Sequence, residues 1–137
     1  MLKLQWRDSY SMNEETIDKQ HKWLFKLSND IYDLMEAGVN DYEHFKKLFI
    51  ALNDYGIEHF IYEEMYMREN NYPNLEEHIK EHREFSDKVR ELCVDIDEKT
   101  NIKDIGEFVS AWLVQHVLDE DMNYKNFIET KQKETQK

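Results

Sequence analysis

The chain has 137 residues, about the length of one domain, and a formal net charge of −12. This charge repels nucleic acid and anionic lipid, so neither is expected as a partner. Three glycines, one proline and one cysteine favour helices over a turn-rich β fold and exclude an internal disulfide.

The sequence also predicts a compartment. The first ten residues, MLKLQWRDSY, lack the long apolar run of a signal peptide, and no window approaches 18 uncharged apolar residues. A single cysteine suits a reducing compartment. We therefore predict a cytoplasmic protein that does not span a membrane.

Four segments repeat apolar residues at alternating three- and four-residue steps, which predicts four amphipathic helices. An arm over about 1–13 comes first; the helices follow over about 14–37, 41–70, 74–98 and 102–130, and a polar, frayed tail covers 131–137. Short connections make neighbouring helices antiparallel. The predicted fold is all-α: one domain over 1–137, an up-down-up-down antiparallel four-helix bundle with an extended N-terminal arm.

Each predicted helix replaces apolar residues with polar groups on its inward face. The groups with metal-ligand chemistry are His21, His59, Glu63, His78, His82, His116 and Asp121. A lone buried histidine usually needs only a hydrogen-bond partner, so the set carries the argument. At 1.5 Å per residue, all seven lie roughly 6–21 Å from the same pole of an antiparallel bundle. We expect them to meet there.

A cluster of two carboxylates and five imidazoles, without Lys or Arg on these faces, is costly to bury unless cations bind it. The pairs His59/Glu63 and His78/His82 are each four residues apart, so both members can serve one site. Seven ligands exceed the four of tetrahedral zinc. They suit two ions bridged by the carboxylates, one of them with an open position. Spacing alone leaves the metal open.

One step in this pattern is irregular. Asp121 follows His116 by five residues, about 140° around an ideal helix, whereas Glu120 would face the same way as His116. The inward row of Leu113, Val117 and Asp121 favours Asp121. We therefore expect ligands from adjacent faces, or a local irregularity of the helix.

Two other groups of titratable residues fall outside the cluster. His44 precedes His59 by 15 residues, about 22 Å along the helix, and is predicted to lie at the surface. Glu58 and Glu64 flank the ligands and are predicted to be solvated or to contact ligands from outside.

The pattern resembles the hemerythrin family, and within it the single-domain bacteriohemerythrins. The matching pieces, in order, are IDKQH ending at His21, HFIYEE from His59, HIKEH from His78, and HVLDED from His116. The stretch WRDSYSMNEETID resembles the family's N-terminal arm. The match covers nearly the whole chain, and all four pieces in register are specific.

The resemblance implies reversible O2 binding at a non-haem centre of two iron ions with an oxo or hydroxo bridge. His78, His82 and His116 would hold the saturated iron, and His21 and His59 the iron with the open position. Glu63 and Asp121 would bridge. A dry pocket around bound O2 would be lined by Leu24, Phe60, Trp112, Leu113 and Val117. Such a protein stores, transports or scavenges oxygen and is not an enzyme.

Two further classes of function stay open. Sensing would need a separate signalling partner. A di-iron oxidase or peroxidase is disfavoured, because ferritin-like oxidases use Glu-x-x-His motifs. Here the residues three before each histidine are Asp18, Asp41, Gly56, Leu75, Ile79 and Leu113. A zinc hydrolase is disfavoured further, since no His-Glu-x-x-His is present.

Overall fold

A computed structural model describes residues 1–135 as an all-helical chain. After a short 3-10 turn at Asp8–Tyr10, the helices are α1 (Glu15–Glu36), α2 (Tyr42–Glu69), α3 (Leu75–Val94), α4 (Ile102–Gln115) and α5 (Met122–Thr135). A π-helical turn, His116–Asp121, joins α4 to α5 without a break. These last three elements together form the fourth helix of the bundle, so the predicted fold class is confirmed.

The helices pack in a closed ring. Contacts join α1 to α2, α2 to α3, α3 to α4, and α4 back to α1. Side chains fix where the helices begin: Glu14 accepts a hydrogen bond from the Ile17 amide at 2.6 Å, and Asp41 accepts one from the His44 amide at 3.1 Å. Gly38, at φ +77°, ends the turn after α1 in the left-handed conformation that glycine tolerates.

Two helix ends differ from the predictions. α3 ends at Val94 and not near Glu98. The reason is local, since the Asp97 amide donates to Thr100 Oγ1 at 2.9 Å and the Asp97 carboxylate accepts from the Lys99 amide at 2.8 Å. Such side-chain bonds offer the backbone an alternative to the helix. The last helix continues to Thr135, five residues past its predicted end, and residues 136 and 137 of the predicted tail lie outside the described residues.

The buried apolar side chains form two clusters. The larger fills most of the bundle and includes Phe45, Phe49 and Leu52. The smaller lies at one pole and consists of Met12, Ile17, Met67, Tyr72 and Tyr124. In the sequence, the residues of this second cluster come shortly before His21 or shortly after Glu63 and Asp121. The predicted polar groups therefore lie between two apolar regions.

The N-terminal arm packs on the bundle as predicted. Leu4 is buried, and its backbone is held by Asn29, which accepts from the Leu4 amide at 2.7 Å and donates to its carbonyl at 2.6 Å. Trp6 and Tyr10 both make T-shaped contacts with Phe25, with ring centroids 5.8 and 6.3 Å from that of Phe25. The arm thus closes the α1 side of the core.

Within residues 1–135, every helix is too short or too polar to cross a lipid bilayer.

Candidate metal centre

The seven predicted ligands converge on one buried site. All of them have at most 4% of their surface exposed, and they come from four helices. His21 lies on α1, His59 and Glu63 on α2, His78 and His82 on α3, and His116 and Asp121 on the π-helical turn. Amphipathic helices normally bury apolar residues on this face, so a polar site here needs a physical compensation.

Glu63 lies between two groups of histidines. Its Oε1 is 2.7 Å from His78 Nε2 and 3.2 Å from His82 Nε2. Its Oε2 is 3.2 Å from His59 Nε2 and 3.4 Å from His21 Nε2. One carboxylate oxygen therefore faces each group.

Asp121 repeats this arrangement from the opposite helix. Its Oδ1 is 3.1 Å from His78 Nε2 and 3.2 Å from His116 Nε2, while its Oδ2 is 3.1 Å from His21 Nε2. The π-helical turn explains how His116 and Asp121, five residues apart, share a site: hydrogen bonding from i to i+5 adds one residue to the turn. The expected irregularity of the helix is present. Glu120 is half-buried, and its carboxylate lies within 4.8 Å of Glu81 and of a ring nitrogen of His78.

The donor atoms of the seven residues form two sets, and within each set all donor atoms lie within 4.8 Å of one another. The three-histidine set contains His78, His82, His116 and Glu63, and the two-histidine set contains His21, His59, Glu63 and Asp121. Glu63 is common to both. The four-helix arrangement therefore brings together donors for two adjacent cations.

Unsatisfied polar atoms show that the protein alone does not complete this site. Within the described residues, His21 Nε2, His59 Nε2, Glu63 Oε2 and both oxygens of Asp121 are buried without a hydrogen-bond partner. Native proteins leave few such atoms, because each costs about 1–3 kcal/mol. Imidazole and carboxylate donors that are orphaned in this way fit bound divalent cations.

The electrostatics of the side chains point the same way. Burial lowers the pKa of His21 and of His78, but Asp121 and Glu63 outweigh it and raise both pKa values to about 9. Burial and the charge of Glu63 would raise the pKa of Asp121, yet His116 and His21 hold it far below its ordinary value. In the metal-free site, His21 and His78 therefore hold protons in positions that cations would take.

Two carboxylates contact the three-histidine set from outside. Glu64 Oε2 is 2.8 Å from His82 Nδ1, and Glu81 Oε2 is 3.7 Å from His116 Nδ1. Since the Nε2 atoms of these rings face the site, the Nδ1–H group of His82 donates to Glu64. Outer partners of this kind fix the orientation of a metal-binding imidazole.

Gln20 has the corresponding position behind the two-histidine set. The Nδ1–H of His59 donates to Gln20 Oε1 over 2.7 Å. Neither Gln20 nor Glu81 was predicted from the sequence. Neither has a diagnostic spacing to the ring it contacts, because each acts on a histidine of a different helix.

The predicted pocket residues divide into two kinds. Phe60 stacks on His82, with centroids 3.9 Å apart, and Trp112 stacks on His116 at 4.4 Å. These two aromatic rings therefore pack on the three-histidine set. Leu24, Leu113 and Val117 are buried in the larger apolar cluster with Phe60. His44 is exposed on α2, as predicted, and takes no part in the site.

Comparison with known proteins identifies the family of this chain. Residues 12–128 match the model of the hemerythrin HHE cation binding domain. The chain is 31% identical to a bacteriohemerythrin of Clostridium acetobutylicum, over 87% of this chain and 96% of the relative. It is 33% identical to a bacteriohemerythrin of Methylococcus capsulatus, over 84% and 88%, and 31% identical to a myohemerythrin of Theromyzon tessulatum, over 88% and 90%. The chain therefore belongs to the hemerythrin family.

Proposed function

We propose that this protein binds O2 reversibly at a non-haem di-iron centre, and acts as an oxygen-binding protein and not as an enzyme. The observation that carries the proposal is the pair of buried donor sets that share Glu63, one with three histidines and the other with two. Bound iron would supply the redox chemistry, with the open coordination position on the ion of the two-histidine set. The names of the bacteriohemerythrin and myohemerythrin relatives support the same function.

In this proposal the side chains have separate tasks. His78, His82 and His116 would hold one ion, His21 and His59 would hold the other, and Glu63 and Asp121 would bridge them. Apolar side chains, namely Leu24, Phe60, Trp112, Leu113 and Val117, exclude water from the bound gas. The five-residue cluster at the pole, which includes Tyr124, closes the other side of the site.

Exclusion of water has a direct chemical use here. Proton delivery to bound oxygen would release it in reduced form and leave oxidised iron. Leu113 and Val117 are at most 3% exposed and have no group that could deliver a proton. A dry, apolar wall therefore favours release of O2 unchanged.

The protein is placed in the cytoplasm as part of the same proposal. Cys93 is a buried free thiol, and a buried thiol that packs as a small apolar group suits a reducing compartment.

Anaerobic loading with Fe(II), followed by O2, tests the function. A reversible carrier develops a visible iron charge-transfer absorption that fades when O2 is removed and returns when it is added again. Continuous O2 consumption with added reductant, in place of reversible colour, would identify an oxidase and contradict the proposal. Metal analysis of the loaded protein should accompany the spectra, since a single ion per chain would also contradict it.

Metal loading should release protons from the metal-free protein at pH 7. His21 and His78 have pKa values raised to about 9, so both are protonated at pH 7 in the folded, metal-free state. The metal ions must displace those protons when they bind. Because both pKa values are raised, the number of protons released is largest below about pH 8.5 and declines as pH approaches 9. Calorimetric titration with a divalent cation in two buffers of different ionisation enthalpy measures the number released.

The matched control for this prediction is His44→Ala. His44 is exposed and distant from the site, so its removal should leave the proton release unchanged. A release that is absent at pH 7, or that grows toward pH 8.5, would contradict the assignment of the protons to the buried histidines.

A further inference from the structure

The groups behind the metal-facing histidines differ between the two donor sets. A metal-binding imidazole that donates its second N–H to a carboxylate becomes a stronger donor toward the ion. Hydrogen bonds to a charged acceptor are about twice as strong as those to a neutral acceptor. The identity of each outer partner therefore affects how tightly each ion is held.

Carboxylates lie behind the three-histidine set. Glu64 accepts from His82 Nδ1 at 2.8 Å, which is a direct hydrogen bond to a buried ring. Glu81, at 3.7 Å from His116 Nδ1, is too distant for a good hydrogen bond and acts on His116 through its charge. Two of the three histidines thus have a negative charge behind them.

The two-histidine set has no such charge at the corresponding atoms. His59 Nδ1 donates to the neutral amide oxygen of Gln20 at 2.7 Å. His21 Nδ1 is buried without any hydrogen-bond partner among residues 1–135. The histidines of this set are therefore the weaker donors, quite apart from their smaller number.

We propose that Glu64 and Gln20 are positioning residues that set the order and affinity of metal loading: Glu64 makes the three-histidine set the first and tighter site, and Gln20 keeps the second ion weakly held. The inference rests on the di-iron function proposed above and adds a feature to it. The weaker histidine donors would also leave an ion in the two-histidine set less electron-rich than its neighbour. The two ions would then differ even before an external ligand binds.

The test is an anaerobic titration of metal-free protein with Co(II), against a competing chelator, to obtain two stepwise dissociation constants. Wild-type protein should show two resolved steps. The extra histidine of the first set would by itself produce an order, so the wild-type result does not isolate the outer residues. Two variants that change the charge of an outer residue but keep the shape of its side chain isolate the effect of these residues.

Glu64→Gln keeps an acceptor for His82 but removes its charge, and should weaken the first step by about tenfold or more while leaving the second unchanged. Gln20→Glu should do the reverse and tighten the second step by about tenfold. Gln20 is only half-buried, so a carboxylate is tolerated there. A purely structural role does not explain a gain of affinity in the second variant.

Glu58→Gln is the matched control, since it removes one negative charge from the same helix at an exposed position and should change neither step. Circular dichroism of each metal-free variant establishes that it is folded. The proposal is overturned if wild type binds both ions in one unresolved step, if Glu64→Gln affects the second step alone, or if Gln20→Glu fails to tighten it. Two ions bound in the wrong order would leave the di-iron function intact, whereas a single ion at saturation would contradict that function itself.

Discussion

Replacement of Glu63 with alanine should lower the bound metal from about two ions per chain to well below one, and abolish the O2-dependent absorption. The reason is that Glu63 has one oxygen on each donor set, 2.7 Å from His78 and 3.2 Å from His59. Removal of a residue that binds only one of the two ions would lower the metal content by only one ion per chain. Metal analysis after loading, with absorption spectra recorded before and after O2, measures the effect.

Glu58→Ala provides the comparison, because it removes an exposed carboxylate five residues earlier on α2 and should retain full metal content. Glu63→Gln separates charge from shape: it preserves the volume of the buried side chain and should still lose most of the metal. If Glu63→Ala retained one ion with the affinity of wild type, Glu63 would not bridge the two sets.

Leu113→Ala should have the second large effect. Leu113 is 2% exposed in the larger apolar cluster, so its truncation leaves a cavity and lowers the free energy of unfolding by about 2–5 kcal/mol. No ligand is removed, so metal content should stay at the wild-type level. Water admitted to the cavity should speed the decay of the O2 complex to oxidised iron.

Urea denaturation measures the loss of stability. Absorption spectra of the visible band, recorded over time in air, measure the decay of the O2 complex. Leu118→Ala is the control for both: Leu118 is 38% exposed, and its truncation should change the free energy of unfolding by no more than about 0.5 kcal/mol. A destabilised Leu113→Ala protein with an unchanged decay rate would remove Leu113 from the proposed pocket while leaving its packing role.

The convergence of the seven polar groups can be predicted from sequence because it depends only on helical period and chain direction. Residues four apart share a face, and antiparallel helices bring the start of one beside the end of the next. His21 near the start of α1 and Glu63 near the end of α2 must then lie at the same pole. The boundaries of α1 and α2 lie within one residue of those predicted from the apolar pattern, and Glu14 and Asp41, at the predicted starts, are the residues whose side chains cap the two helices.

The outer residues could not be predicted in this way. Gln20 precedes His21 in the sequence but contacts His59, and Glu81 precedes His82 but lies near His116. These contacts depend on how far a side chain reaches across a helix interface, which the hydrophobic period does not encode. The early end of α3 was missed for a related reason, since the bonds of Asp97 and Thr100 compete with the helix at a scale of two or three residues.

The placement of Phe60 and Trp112 is also specific to the three-dimensional arrangement. Both were predicted to line a gas pocket, and the structure stacks both on rings of the three-histidine set. A stacked aromatic ring restricts rotation of the imidazole beside it. Phe60, whose centroid is also 5.8 Å from that of His59, contacts both donor sets.

The π-helical turn divides the fourth helix into two angular registers. Residues up to Gln115 follow one inward stripe, and residues from Met122 onward follow another that is displaced by one position, about 100° in a regular helix. If the same residues formed a regular α-helix without this turn, Asp121 and Tyr124 would be rotated by about 100° relative to Gln115, away from the site and from the apolar cluster at the pole. The fourth helix thus contains one residue more than a regular helix of the same length. This extra residue allows a single helix to supply both predicted metal ligands and Tyr124 of the apolar cluster that covers the site.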